Sequence, residues 1–340
     1  MILVLRALGV GDLATAVPAL RGLRAAFPDR TLVLAAPGWL APLVDLVGGI
    51  DRLVPVEGLV PVDAANGWSV PAPFWAVNLH GRGPRSHRLL RSLRPGRLTA
   101  FRCAAAEHTD GPQWAPEEHE VRRWCRLVNW YGIPADPDDL GLRRLGPDRL
   151  PVGVTIVHPG GKDPERRWAP GRFAEVARRL SRCGHRVVIT GSETERSLAE
   201  RVATGAGLAG TDVLAGRLDL AAMAALVAHA RLVISADTGV AHLATGYGTP
   251  SVVLFGPVRP DRWGPPPDRP WHRALWAGPD RVAPTTSPTQ DGRAQDGRAK
   301  PGPAGERIHP ALAAISVDQV LAAVDEVGAV GRERDAVAAQ

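Results

Sequence analysis

Lysine is nearly absent from this chain. Only Lys162 and Lys300 occur in 340 residues, so arginine supplies almost all the positive charge behind a formal net charge of +6. Arginine offers a planar fork matched to phosphate and carboxylate, where lysine offers a point charge. Long apolar runs are also missing. None approaches the roughly 20 residues that span a bilayer. The opening MILVLR carries Arg6 and is soon followed by Asp12, so it reads as a first strand and not as a signal peptide. Cysteine is scarce: Cys103, Cys125 and Cys183 lie far apart, which excludes a disulfide framework and a zinc pattern and suits a reducing cytoplasm. A single-sign charge stripe is lacking as well. The arginines are spread along the chain and mixed with acids, which argues against a nucleic-acid partner and for small anionic substrates.

What is present is a rhythm. Hydrophobic residues make up 45% and charged residues 22%, the balance of a soluble globular protein, and the length suits two domains. Ile2–Leu5 reads as a strand, followed by a glycine turn and a helix to about Ala26. Strands follow at 31–36, 52–56, 76–80 and 97–102, with helices at 37–47, 85–93 and 117–131. The proline- and aspartate-rich stretch from Pro134 to Pro151 reads as a linker. The alternation then restarts, with strands at 152–157, 185–190, 231–235 and 251–255. Helices alternate with these at 170–182, 193–203, 218–230 and 240–247. Apolar strands alternating with helices predict an α/β protein with two Rossmann-like parallel-sheet domains, 1–150 and 151–330, and a cleft between them. Residues 279–307, with an imperfect QDGRA repeat, read as a disordered surface loop. A last helix is expected over 315–327, with a frayed tail beyond Gly328.

Four stretches carry chemistry, and each has a plain reading beside the functional one. ADTGVAH (236–242) follows a strand and opens a helix. Asp237 and Thr238 suit helix capping, but free N–H groups at a helix start also bind phosphate, Gly239 allows close approach, and His242 lies one turn along. HPGGKDPERRW (158–168) crowds two glycines with Lys162, Arg166 and Arg167, which suits either an anionic group or a solvated charged loop. In RALGVGDLATA (6–16), Gly9, Gly11 and Ala14 match a dinucleotide fingerprint. The second strand ends Ala35-Ala36-Pro37 without the acid that would hold a ribose, so NAD is not expected. Asp12 is then either a helix cap or a lone reactive carboxylate at a strand's carboxyl end. NLHGRGPRSHR (78–88) presents Arg82, Arg85, His87 and Arg88, for an anionic acceptor or as a solvated helix start. His80 and His87 lack further ligands at metal spacing. Asp136-Pro-Asp138 lies in the linker and not after a strand. No metal site is expected.

Taken together, GVGDLATAVPALRGLRAAFP, NLHGRG, HPGGKDPERRW and ADTGVAHLATGYGTPSVVLFGPVRPDRWGP resemble glycosyltransferase family 9, the heptosyltransferases of lipopolysaccharide core assembly. The resemblance runs from residue 1 to about 265, and the helix 315–327 is similar to the family's last helix. It implies the GT-B fold and inverting, metal-independent transfer of a heptose from an ADP-activated donor, with no cofactor. It implies Asp12 as general base, and Asp237, Thr238, Gly239 and His242 at the donor diphosphate. Arg166 would stand near the donor phosphates and Glu195 at the donor ribose; Arg82 and Arg85 are placed on the acceptor side by the composition of their own loop. A glycan or glycolipid acceptor is implied, for a cytoplasmic monomer able to work at the inner membrane surface. The loop 279–307 departs from the family by lacking its cysteines and by looking like an insertion. An epimerase or other nucleotide-sugar enzyme of the same fold, or a non-catalytic nucleotide- or carbohydrate-binding protein, are the rival readings.

Overall fold

The structure, a computed structural model, describes residues 1–60, 70–278 and 308–338. The expected loop 279–307 lies outside the described residues. The chain divides into two compact units between Leu140 and Gly141, inside the proline- and aspartate-rich stretch. Residues just after the division belong to the second unit: the Leu142 N–H donates to the Gly246 carbonyl, and Arg144 donates to the carbonyls of Ala228 and Tyr247.

The first unit runs β1 (Ile2–Leu5), α1 (Val10–Thr15), α2 (Val17–Ala26), β2 (Leu32–Ala36), α3 (Ala41–Val47), β3 (Arg52–Pro55), β4 (Trp75–Asn78), α4 (Arg85–Ser92), β5 (Arg97–Thr99) and α5 (Glu120–Trp130). Its strands form one parallel sheet in the order β3-β2-β1-β4-β5. Residues of β1, β2 and β4 are buried throughout, because helices cover both faces and the strands are apolar without alternation. The single helix expected up to Ala26 is two. Val17 and Pro18 begin α2, and proline, lacking an N–H, belongs in a first turn and not mid-helix.

The second unit runs β6 (Thr155–His158), α6 (Pro170–Arg182), β7 (Val187–Ile189), α7 (Arg196–Ala206), α8 (Leu220–Ala228), β8 (Leu232–Ala236), α9 (Gly239–Tyr247), β9 (Ser251–Leu254), α10 (Pro260–Trp263), β10 (His272–Leu275), α11 (Pro310–Ala314) and α12 (Val317–Ala338). Its parallel sheet has the order β10-β9-β8-β6-β7. Val157, Ile234 and Leu254 meet Phe173, Val176 and Leu180 of α6, Val202 of α7, and Leu312, Val320 and Val324 from the C-terminal helices. Trp168 pins the start of α6 into this core. It is 1% exposed, packs edge-on against Phe173 at 5.1 Å, and donates its indole N–H to the Ile315 carbonyl at 3.2 Å. The tail expected to fray beyond Gly328 is helical to Ala338. Residues 332–338, RERDAVA, hold neither glycine nor proline and favour continuation. Among the described residues no helix is long and apolar enough to cross a membrane.

In each sheet the chain lays strands to one side and then returns to the other side of its first strand. The turning point falls between β1 and β4 in the first unit, and between β6 and β8 in the second. Loops leaving the carboxyl ends of such a strand pair diverge and leave a crevice where ligands bind in open α/β sheets. The glycine turn with Asp12 and the NLHGRG loop leave β1 and β4. The HPGG loop and the DTG turn leave β6 and β8. All four stretches singled out in the sequence therefore emerge at switch points.

Candidate active site

In the first unit, Arg6 still pairs with the sheet after β1, its N–H donating to the Ala35 carbonyl at 2.9 Å. The chain then turns through Ala7 and Leu8 to extended Gly9, the N-cap of α1. Asp12 sits three residues into the helix, where its Oδ2 accepts the Gly9 N–H at 3.1 Å. The capping reading is thus realised, from inside the first turn and not from the cap position. Its side chain is nonetheless 23% exposed, and its other oxygen, Oδ1, faces the Arg6 guanidinium at 3.6 Å.

Arg6, Glu120 and Arg123 were not singled out in the sequence, yet they form a chain of ion pairs that leads to Asp12. Arg6 is fully buried. Its Nε donates to the Asp12 carbonyl at 2.9 Å, Nη1 to the Leu79 carbonyl, and Nη2 to Thr15 Oγ1 at 3.2 Å and Glu120 Oε1 at 3.3 Å. Its guanidinium carbon lies 4.6 Å from the centre of the Trp124 ring. Glu120, also fully buried, accepts the Trp124 indole N–H at 2.9 Å and pairs with Arg123. Arg123 in turn donates to the carbonyls of Ala115, Pro116 and Glu118. An arginine closing an otherwise apolar buried strand was the available signal for this network.

The NLHGRG loop is shaped by Asn78. Its Nδ2 lies 3.2 Å from the Gly81 carbonyl, 3.0 Å from Ser86 Oγ and 3.1 Å from His87 Nδ1, while its Oδ1 accepts the His80 N–H at 3.0 Å. His87 was one of the residues expected to suit an anionic acceptor, and the structure corrects that. Its ring is buried and its Nε2 lies 2.8 Å from the Phe101 carbonyl, so it is a neutral strut. Burial pushes its pKa down to about 4 against the help of the Phe101 bond. His80 is fully buried with no hydrogen-bond partner for either ring nitrogen. Burial first, then the charges of Arg6 and Arg85, push it down to about 3. Arg88 is spent on the Ala105 carbonyl. Arg82 and Arg85 are exposed.

In the second unit, Glu195 joins two loops. Its Oε1 accepts the Gly161 N–H at 2.6 Å, and its Oε2 accepts both the N–H and the hydroxyl of Ser192, at 2.8 and 2.9 Å. A Cβ on Gly160 would stand 2.4 Å from this carboxyl, which is why the HPGG turn needs a residue without a side chain there. Burial opposes ionisation of Glu195. The N–H groups of Ser192 and Gly161, the Ser192 hydroxyl and the nearby His158 outweigh it and hold the carboxyl below its usual range. A carboxylate offers about four lone-pair positions, so Glu195 retains capacity for one further donor such as a ribose hydroxyl.

Across the switch point, Arg166 ends a short 3₁₀ turn over Pro164–Arg166, and its Nη1 lies 3.4 Å from Asp237 Oδ2. His242 Nε2 lies 3.9 Å from Asp237 Oδ1, and the His242 ring stands edge-on to Trp263 at 5.8 Å. Burial raises the Asp237 pKa, although His242 and Arg166 both pull it down. Thr238 is the N-cap of α9, but its side chain makes no capping bond, and its buried Oγ1 has no hydrogen-bond partner. Beside it lie the first N–H groups of α9, which a helix leaves without internal partners. Arg166, Asp237, Thr238, Gly239 and His242 are thus brought together on one unit, with Glu195 fixing the adjoining loop. Asp136 and Asp138 form a turn, with the Asp138 N–H donating to Asp136 Oδ1 at 3.0 Å. Among the described residues no group of three or more His, Cys, Asp or Glu gathers as metal ligands do.

This arrangement has relatives. Lipopolysaccharide heptosyltransferase 3 of Escherichia coli is 29% identical over 187 residues, covering 53% of this chain and 49% of that protein. Lipopolysaccharide heptosyltransferase 1 of Pseudomonas aeruginosa is 37% identical over 149 residues, covering 42% of this chain and 41% of that protein. These matched stretches span about half or less of the relatives' own length. The solved structure of E. coli ADP-heptose lps heptosyltransferase II superposes with a TM-score of 0.70 at 20% identity, over 97% of this chain and 99% of that one. That likeness establishes the GT-B type of fold, two parallel-sheet α/β domains. The family model described as glycosyltransferase family 9 (heptosyltransferase) matches residues 115–285, half of the chain, and takes in the HPGG loop, Glu195 and the DTG turn; the chain belongs to that family.

Proposed function

We propose that this chain is a glycosyltransferase that moves a heptose or a related sugar from an ADP-activated donor to a hydroxyl of a glycan or glycolipid acceptor. The place we assign it is lipopolysaccharide core assembly. Both the family and the names of the relatives support that reading. The observation that carries it is the Thr238 hydroxyl. It is buried and unpartnered at the start of α9, with Arg166 close by on Asp237, at a sheet's switch point. A helix start of this kind binds a phosphate group through backbone N–H donors. When the bond between sugar and diphosphate breaks, negative charge grows on the leaving phosphate. Donors already aimed at that charge stabilise it, and Thr238, the first turn of α9 and Arg166 supply them. Asp237 orients Arg166 and His242 in this reading. Glu195, bound to both loops, holds their spacing and can accept from a ribose.

On the acceptor side, Asp12 takes the proton of the attacking hydroxyl as the new bond forms at the anomeric carbon. Attack from the face opposite the leaving diphosphate inverts that carbon in one displacement. Arg82 and Arg85 are proposed to meet anionic groups of the acceptor. The reading assigns the neutralisation of the leaving group to the chain's own donors and needs no cofactor.

The donor half is tested by thermal unfolding with added nucleotide. ADP at about 100 times its dissociation constant is expected to stabilise the chain by about 2.7 kcal/mol, while NAD leaves the melting temperature unchanged. Thr238→Val should remove most of the ADP effect without lowering the melting temperature of the unliganded chain, because its hydroxyl has no partner to lose. Stabilisation by NAD and not by ADP would overturn the reading.

A further inference from the structure

We propose that Glu120 is a positioning residue for Asp12, acting through Arg6. This inference rests on the reading of Asp12 as the general base. Four charges alternate in sign through the first unit: Asp12, Arg6, Glu120 and Arg123. Arg6 and Glu120 are fully buried, the Arg123 side chain is 4% exposed, and Asp12 is 23% exposed. The carboxylate proposed to do chemistry is therefore the one end of the chain that reaches solvent. A buried ion pair is a poor way to add stability, since apolar residues of the same volume often do as well. A chain of four that ends at the proposed base points to a role at that base.

The geometry shows what that role is. All three nitrogens of Arg6 are engaged, and Nη2 donates to Thr15 and Glu120. Asp12 Oδ1 stands 3.6 Å from that same Nη2, outside hydrogen-bond range. Glu120 thus holds the guanidinium back. Asp12 feels a positive charge that fixes its orientation, but it does not surrender its proton-accepting oxygen to a direct bond from Arg6. Arg6, just after β1, faces Asp12; Glu120 of α5 pairs with Arg6, Arg123 of α5 pairs with Glu120, and His80 after β4 lies in the field of Arg6 and Arg85. His80 is neutral, and the charges of Arg6 and Arg85 act on it. With Glu120 neutralised, Asp12 becomes the only carboxylate of the set within reach of Arg6. The guanidinium then moves onto it, lowers its proton affinity and turns its carboxylate.

Glu120→Gln tests this. The amide oxygen still accepts the Trp124 indole N–H, while the amide NH₂ takes the place of Oε2 and faces Arg123 donor against donor, so the change removes the charge and also loosens the Arg123 pair. The acid limb of kcat/KM against pH is expected to move down by about one unit, the scale on which a close opposite charge acts on a carboxyl. The turnover number should fall roughly tenfold from misplacement of the base, with the donor KM and the ADP melting shift unchanged. Carbon-13 NMR titration of the Asp12 carboxyl, assigned by its loss in Asp12→Asn, reads the same downward shift without any need for turnover. Should Glu120→Gln not fold, Glu120→Asp keeps the charge but draws it back from Arg6, and it should shift the Asp12 titration the same way by less. A folded variant whose Asp12 titration and acid limb stay in place, or move up, overturns the proposal. If Asp12→Asn itself transfers sugar at the wild-type rate, it is the general-base reading that fails.

Discussion

Replacing Asp12 with asparagine is expected to lower sugar transfer by about 10²–10⁴-fold, the typical worth of a general base, and to leave donor binding as it was. A sugar hydroxyl is a weak nucleophile at neutral pH, and an amide cannot take its proton. The structure says what else changes. The asparagine Oδ1 can accept the Gly9 N–H in place of the carboxylate. Its NH₂ then faces the Arg6 guanidinium, donor against donor, where Oδ1 of the aspartate stood at 3.6 Å. That costs on the order of 1 kcal/mol of stability, well short of unfolding a domain. The variant should therefore fold, show the ADP melting shift of the wild type, and be nearly silent in transfer. Because Thr238 and Arg166, the residues proposed to meet the donor phosphates, belong to the other unit, their alanine variants should show the opposite pattern, with weakened donor binding. Wild-type transfer by a folded Asp12→Asn would mean that another group takes the proton.

Acid is expected to unfold the chain well before its carboxylates are protonated. His80 and His87 are both fully buried, with pKa values pushed down to about 3 and about 4, and His108 is lowered by burial as well. In the unfolded chain a histidine titrates near 6.5. Below that pH the unfolded state takes up protons that the folded state refuses, so stability present above pH 6.5 is lost as the pH falls. The loss runs at up to about 1.4 kcal/mol per pH unit for each histidine. His80 and His87 together give up to about 2.7 kcal/mol per unit between pH 6.5 and about 4. Glu195 adds a later loss: its carboxyl is held below its usual range, so its share goes only as the pH falls through that lower value. Urea unfolding at pH 7 and pH 5, followed by tryptophan fluorescence, reads the difference. His80→Leu should flatten the slope, since neither ring nitrogen gives up a hydrogen bond. Equal stability at the two pH values would show that these histidines carry charge in the folded chain.

Much of this was legible in the sequence, and the physical reasons differ by element. β1, β2, β6, β8 and β9 are buried throughout because both faces of each sheet are covered, and their largely apolar runs are easy to see. β10 was missed because His272–Leu275 lies at a sheet edge and is only partly buried. The break between α1 and α2 was missed although Pro18 marked it. The DTG and HPGG turns declared themselves by composition, since glycine, threonine and arginine after a buried strand are unusual company. Glu195 was singled out, but not its engagement by Gly161 and Ser192, which depends on two loops 31 positions apart coming together. The Arg6–Glu120 pair was beyond sequence reasoning. Its partners are 114 positions apart, and nothing local distinguishes Glu120 from an ordinary first-turn acid of a surface helix.

The two strand orders have a consequence for how such a chain came about. Counted from its own first strand, the first unit places its strands 3-2-1-4-5, and the second, read from its far edge, 2-1-3-4-5. Both are right for a switch point, and both put a glycine turn at the first strand's end. They are not the same weave, because the third strand lies on opposite sides of the first. Copying one half and joining the copies end to end would not yield this molecule without moving that strand across its sheet. The likeness between the halves, each a parallel sheet with loops leaving at a switch point, is therefore better described as two solutions to one packing problem than as an internal repeat.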